Sequence, residues 1–145
     1  MEAHLHPDPP LALGPLLASL QDPDRPVAAI DVSDGLSSEL WHLSRQSGCA
    51  LRVDADRLPL HASLAAGSSA DARFHALHGG EEYQLLFTGA FSAAEIDQVR
   101  AVCPVTEIGV VEAGEGVFLR EGGRERPLEA GGWSHGAAES EKREA

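Results

Sequence analysis

Three observations predict an α+β domain, an α/β-like mixed sheet covered by helices. Strand-like and helix-like segments alternate along most of the chain. Two strand-like segments then follow one another near the C-terminus. The 145 residues, 43% of them apolar, are enough for one hydrophobic core. A chain of this length buries about 70% of its unfolded surface, so it needs neither disulfide nor metal to fold.

The first ten residues end in Pro7-Asp8-Pro9-Pro10 and read as an extended lead-in, because proline lacks a donor and disfavours helix before it. Leu11, Leu13, Leu16, Leu17 and Leu20 then have amphipathic helical spacing, which Asp22-Pro23-Asp24-Arg25-Pro26 ends as a connector. Val27 to Ile30 is an apolar run of strand length. Leu36, Leu40 and Leu43 predict a helix over 36–47, stopped by Gly48. Ala50 to Asp54 alternates apolar and polar like a half-buried strand.

Gly67-Ser68-Ser69 marks a loop before a helix over 70–77. Tyr83 to Thr88 is rich in strand formers, and Ser92 is placed to cap a helix running to Val102. Val105 to Val111 and Gly116 to Arg120 read as two strands joined by Glu112-Ala113-Gly114-Glu115. Residues 137–145 lack apolar periodicity and are expected to be a disordered tail.

Charge narrows the function. Lys and Arg number 11 against 23 Asp and Glu, a formal net charge of −12. Nucleic-acid binding rests on basic side chains replacing phosphate counterions, so this chain is expected to repel a polyanion. No apolar run approaches the ~20 residues that span a bilayer, so no membrane partner is expected. Met1-Glu2-Ala3-His4 has neither the basic start nor the apolar core of a secretory signal, and Cys49 and Cys103 form no CxxC pair. A cytoplasmic protein with reduced, buried thiols is the expectation.

Two segments carry chemistry. In Ile30-Asp31-Val32-Ser33-Asp34-Gly35-Leu36 an apolar strand runs into two acids, a hydroxyl and a glycine, and then into a helix. The helix start offers free N–H groups and a positive dipole end, which suit phosphate. Two carboxylates would repel a bare phosphate, and a hard cation between them removes the conflict, since Mg²⁺ is held by one or two carboxylates plus substrate phosphates. The plainer alternative is that Ser33 or Asp34 only caps the helix. The second segment is Gly79-Gly80-Glu81-Glu82-Tyr83-Gln84-Leu85-Leu86-Phe87-Thr88, two glycines that permit a tight turn, then acids at the head of a strand. A turn bearing solvated acids is the plainer alternative here. There is no GxxxxGK[ST] phosphate loop.

In this order, with Leu58-Pro59-Leu60, Ile108-Gly109 and Gly132-Trp133 as flanks, the two segments resemble thiamine-monophosphate kinase over roughly residues 4 to 135. The resemblance is to that family's C-terminal domain, of the aminoimidazole ribonucleotide synthetase type. It implies a domain over 1–136 and an activity that transfers phosphate from ATP to thiamine monophosphate with Mg²⁺. It makes Asp31 and Asp34 Mg²⁺ ligands, Ser33 an ATP contact, Glu81 a substrate contact and Trp133 the aromatic against thiamine.

The family has aspartate where Glu82 stands, glutamate where Gln84 stands, and a His-Phe pair where this chain reads Ser134-His135. Its N-terminal ATP- and Mg²⁺-binding domain, which also carries the dimer interface, has no counterpart in these residues. The expectation is a half-site that needs that domain or a homodimer partner. A stand-alone, non-catalytic module binding a phosphorylated ligand or a partner protein is the alternative. His75 with His78, Asp54 with Asp56, and Trp41 read as structural rather than functional.

Overall fold

The computed structural model describes residues 10–60, 68–81 and 83–131. The lead-in before Pro10, Glu82, Trp133 and the tail over 137–145 lie outside the described residues. The leucine spacing at the start forms α1 (Leu13–Leu20), with Leu13 and Leu17 buried. Strand β1 (Ala28–Val32) leads into α2 (Leu36–Ser47), which stops at Gly48 in the left-handed conformation. Then come β2 (Cys49–Asp54), a 3₁₀ turn (Ala55–Arg57) and α3 (Ser69–His78). Next are β3 (Gln84–Thr88), α4 (Ala93–Val102), β4 (Gly109–Ala113), β5 (Gly116–Glu121) and β6 (Arg124–Pro127). No helix among the described residues is long and apolar enough to cross a membrane.

The strands form two sheets. β1 and β3 make an antiparallel ribbon in which Val32 faces Gln84. The other sheet runs β4-β2-β5-β6 and is mixed, with β2 antiparallel to β4 and parallel to β5. The two late strands are thus consecutive in sequence but straddle β2. Gly114 and Gly116 take the positive φ that this short crossing link requires. β6, which the sequence reading did not anticipate, returns from β5 through Gly122-Gly123, both at positive φ as a type I′ turn demands.

Leu40, Leu43, Leu51, Val53, Leu77, Val117, Leu119 and Leu128 form one apolar cluster, built from α2, α3 and the inner face of the mixed sheet. Leu13, Leu17 and Val99 form a second, from α1 and α4. The ribbon lies between them: Ala28, Ile30 and Leu86 pack on the first cluster, Leu85 and Phe87 on the second. Cover on both faces accounts for the nearly unbroken apolar run of β3. On the outer face Arg52, at the middle of β2, pairs with Glu112 of β4 and Glu125 of β6 and lies over the Phe118 ring of β5.

The predicted cap at Ser92 is a full capping box. Ser92 Oγ accepts from the Glu95 N–H, and the Glu95 carboxylate accepts from the Ser92 N–H at 2.7 Å. Arg25 also donates to Glu95, tying the connector after α1 to the head of α4. The Ser92 N–H, then its hydroxyl, then Arg25 hold the Glu95 carboxyl below its ordinary value of 4.5, against an opposing pull from desolvation.

A carboxyl lowered in this way stabilises the fold fully above pH 4.5, and the contribution is lost as pH falls through the lower folded value. Ser92→Ala, which removes the N-cap acceptor of α4, is expected to lower stability by about 1 kcal/mol at neutral pH. Glu95→Gln is expected to be less stable than wild type at pH 7, with the difference shrinking on acidification. Urea unfolding at several pH values measures both.

Candidate functional site

Antiparallel pairing places the C-terminal end of β1 beside the N-terminal end of β3, so the two segments singled out in the sequence meet at one end of the ribbon. β1 turns Ile30 inward, where it packs on the larger apolar cluster, and leaves Asp31 exposed. The strand ends at Val32. Ser33 is half-buried, Asp34 exposed, and buried Gly35 starts α2. Gly35 has φ +110, and a Cβ there would lie 3.0 Å from the His78 carbonyl oxygen, so only glycine suits the position.

No side chain caps α2. The alternative in which Ser33 or Asp34 serves as its cap is therefore set aside, and the first amides of the helix carry no side-chain acceptor. Ser33 and Asp34 turn instead to Glu39. The Ser33 hydroxyl donates to Glu39 Oε1 at 3.3 Å, and the Asp34 N–H donates to the same oxygen at 3.4 Å. Glu39 is only 4% exposed. The sequence reading missed it, because an acid in the first turn of a helix usually faces water and helps the dipole.

The glycine-rich segment docks on this turn backbone to backbone. The Glu81 N–H donates to the Ser33 carbonyl at 2.9 Å and the Tyr83 N–H to the Val32 carbonyl at 3.1 Å. Contact is close enough that a Cβ on Gly80 would sit 2.5 Å from the Ser33 oxygen. Glu81 and Tyr83 hold φ of 66° and 52°. Left-handed backbone at a non-glycine residue costs about 1–3 kcal/mol and persists only where its surroundings impose it. The Glu81 and Tyr83 side chains are exposed beside the turn.

A third tie lies below. Ser37, fully buried on α2, has its Oγ 2.8 Å from His78 Nδ1 and accepts the Gly131 N–H at 3.2 Å. Ser37 thereby joins α2, the end of α3 and the segment after β6. Phe74, His78, Arg126, Leu128 and Gly131 line an open depression there.

The residues set aside in the sequence have structural partners. Asp54 caps the 3₁₀ turn, Asp56 pairs with Arg73 at 2.6 Å, and the Trp41 indole donates to the Leu128 carbonyl at 2.7 Å. Cys49 packs against the larger cluster and Cys103 against the smaller.

Among the described residues no three His, Cys, Asp or Glu side chains converge as a metal cage. Asp31 and Asp34 are instead two exposed oxygen donors flanking one turn, the donor type and number that suit Mg²⁺ shared with phosphate.

No family model matches the sequence. The chain is 36% identical over 108 residues to the thiamine-monophosphate kinase of Pyrococcus abyssi, covering 74% of this chain and 33% of that protein. It is 40% identical over 131 residues to that of Salmonella typhimurium, covering 84% and 38%.

Among solved structures it is similar to the thiamine-monophosphate kinase of Stenotrophomonas maltophilia K279a, with TM-score 0.68, 35% identity, and 81% and 37% of the two chains covered. It is likewise similar to AaThiL complexed with AMPPCP and TMP, with TM-score 0.60, 36% identity, and 74% and 33% covered. Escherichia coli HypE, a hydrogenase maturation protein, shares the fold with TM-score 0.57 at 19% identity. The chain spans about a third of the length of the curated relatives it matches.

Proposed function

Because the chain is homologous to the C-terminal part of the thiamine-monophosphate kinases, we propose that it supplies one wall of such an active site, where phosphate passes from ATP to thiamine monophosphate. The observation that carries this reading is the docking of the two segments. Hydrogen bonds from Glu81 and Tyr83 to Ser33 and Val32 bring Asp31, Ser33, Asp34 and Glu81 to one end of the ribbon, beside a helix start that no side chain caps. AaThiL in complex with AMPPCP and TMP supports a triphosphate and thiamine monophosphate as the ligands.

In this reading Asp31 and Asp34 hold Mg²⁺, which when bound neutralises phosphate charge. The uncapped amides of α2 attract the phosphate oxygens, and Ser33 contacts the nucleotide. Phosphoryl transfer rests on positioning and charge neutralisation, so these residues work by orienting the phosphates, with no general base required of them. Thiamine carries a cationic thiazolium ring, which the Glu81 carboxylate and the Trp133 indole face would suit. The working unit is residues 1–136, with 137–145 as a tail. The remaining two thirds of the relatives' length supplies further nucleotide and metal contacts, in a cytoplasmic enzyme.

Calorimetric titration of the chain tests the assignment. With Mg²⁺ present, Asp31→Asn and Asp34→Asn are each expected to weaken AMPPCP binding at least about tenfold, the equivalent of one charge-assisted contact of about 1.5–3 kcal/mol. Glu81→Ala is expected to weaken thiamine monophosphate and leave AMPPCP unchanged. Affinities equal to wild type would take the substituted residue out of the site.

A further inference from the structure

We propose that Glu39 is a positioning residue, holding the Ser33–Asp34 turn in the shape that receives the metal-bound nucleotide. The inference rests on the preceding reading and deepens it. A carboxylate 4% exposed is costly, and among the described residues no ion pair reaches it. An apolar side chain would fill that place without the cost. What the carboxylate adds is a single oxygen, Oε1, that accepts from both the Ser33 hydroxyl and the Asp34 N–H.

Glu39 is not the acid of a capping box, which would stand three residues after the cap and reach back to the cap's own amide. It stands four after Gly35 and reaches past it to the residue before. Two consequences follow for the ligand. Pinning its amide fixes the Asp34 backbone from which the exposed carboxylate projects. Ser33 has one hydroxyl proton, and with that proton directed to Glu39 its oxygen is left with lone pairs. Ser33 then meets the ligand as an acceptor, suited to a ribose hydroxyl, an amino group or a cation, and not as a donor to phosphate.

Both hydrogen bonds end on Oε1, so glutamine can keep them while leucine cannot. In the full 145-residue chain, titrated with Mg²⁺ and AMPPCP, Glu39→Leu is expected to bind about 10- to 100-fold more weakly, the effect typical of removing a group that orients a metal ligand. Glu39→Gln is expected to stay within about threefold of wild type. Amide exchange at Asp34 is expected to accelerate at least about tenfold in Glu39→Leu while the core amides of Val53 and Val99 change much less, and to be restored in Glu39→Gln; a device serving only overall stability would speed the core amides as well.

Wild-type affinity in Glu39→Leu, or a Glu39→Gln variant as weak as leucine, would overturn the proposal. Should the leucine variant fail to fold, the glutamine variant and the wild-type exchange rate still decide, since an Asp34 amide exchanging like an unprotected one is fatal. Failure of the wild-type chain to bind AMPPCP even with the rest of a relative's length supplied in trans would instead sink the kinase reading, and exchange at Asp34 would then judge the positioning role alone.

Discussion

Gly80→Ala is expected to pull the two site segments apart and to abolish Mg²⁺-dependent nucleotide binding. The added Cβ would stand 2.5 Å from the Ser33 carbonyl oxygen and 3.4 Å from the Asp34 backbone. That same oxygen accepts the Glu81 N–H, so the chain cannot retreat from the clash and keep the bond. Overpacking of this kind costs about 1–3 kcal/mol, and loss of the hydrogen bond adds about 0.5–1.5 kcal/mol. Urea unfolding should show a lower midpoint, and calorimetry no AMPPCP binding. Gly14 in α1 is the control for binding: apart from its chain neighbours nothing lies within 4 Å of a Cβ there, so Gly14→Ala should leave AMPPCP binding intact, whatever Pro15 after it does to the stability of α1.

The second large effect is expected in turnover. Assayed with ATP, Mg²⁺ and thiamine monophosphate, the 145-residue polypeptide alone is expected to form thiamine diphosphate at least about a hundredfold more slowly than when the rest of a relative's length is supplied in trans. On the proposed reading, a cation held by two exposed aspartates and a helix start would neutralise only part of a triphosphate's charge, on a chain that itself carries −12. A loosely held phosphoryl group misses its acceptor, and a displacement of about one ångström already costs on the order of a hundredfold. Chromatographic detection of the product decides. Turnover by the polypeptide alone at the rate of the supplemented mixture would show that these residues suffice.

Much of this was legible in the sequence because the signals were local. Leu36, Leu40, Leu43 and Gly48 mark α2 from start to stop, and Ser92 with Glu95 marks the head of α4. The two segments singled out in the sequence stood out through acids and glycines beside strands, and the ribbon brings them together. What stayed hidden depends on partners far along the chain. β6, Arg-Glu-Arg-Pro, is exposed at every position and carries no burial pattern to read; its one clue was Gly122-Gly123. The split into a ribbon and a separate mixed sheet follows from which strands find each other, which periodicity does not encode. Glu39 and Ser37 looked like ordinary polar residues of a helix's first turn, and only the loop packed against them reveals that they face inward.

The strand order β4-β2-β5 also bears on how the chain matures as it is synthesised. β2 emerges early, yet both of its flanking strands are made more than fifty residues later, and they arrive as a joined pair that must close around it. Until then Leu51 and Val53 stand on a segment with two bare edges, the condition in which a nascent polypeptide most readily recruits a neighbour. β2 therefore completes its pairing only once residues 109–121 have been made, which makes that stretch the last requirement for closing the mixed sheet around it.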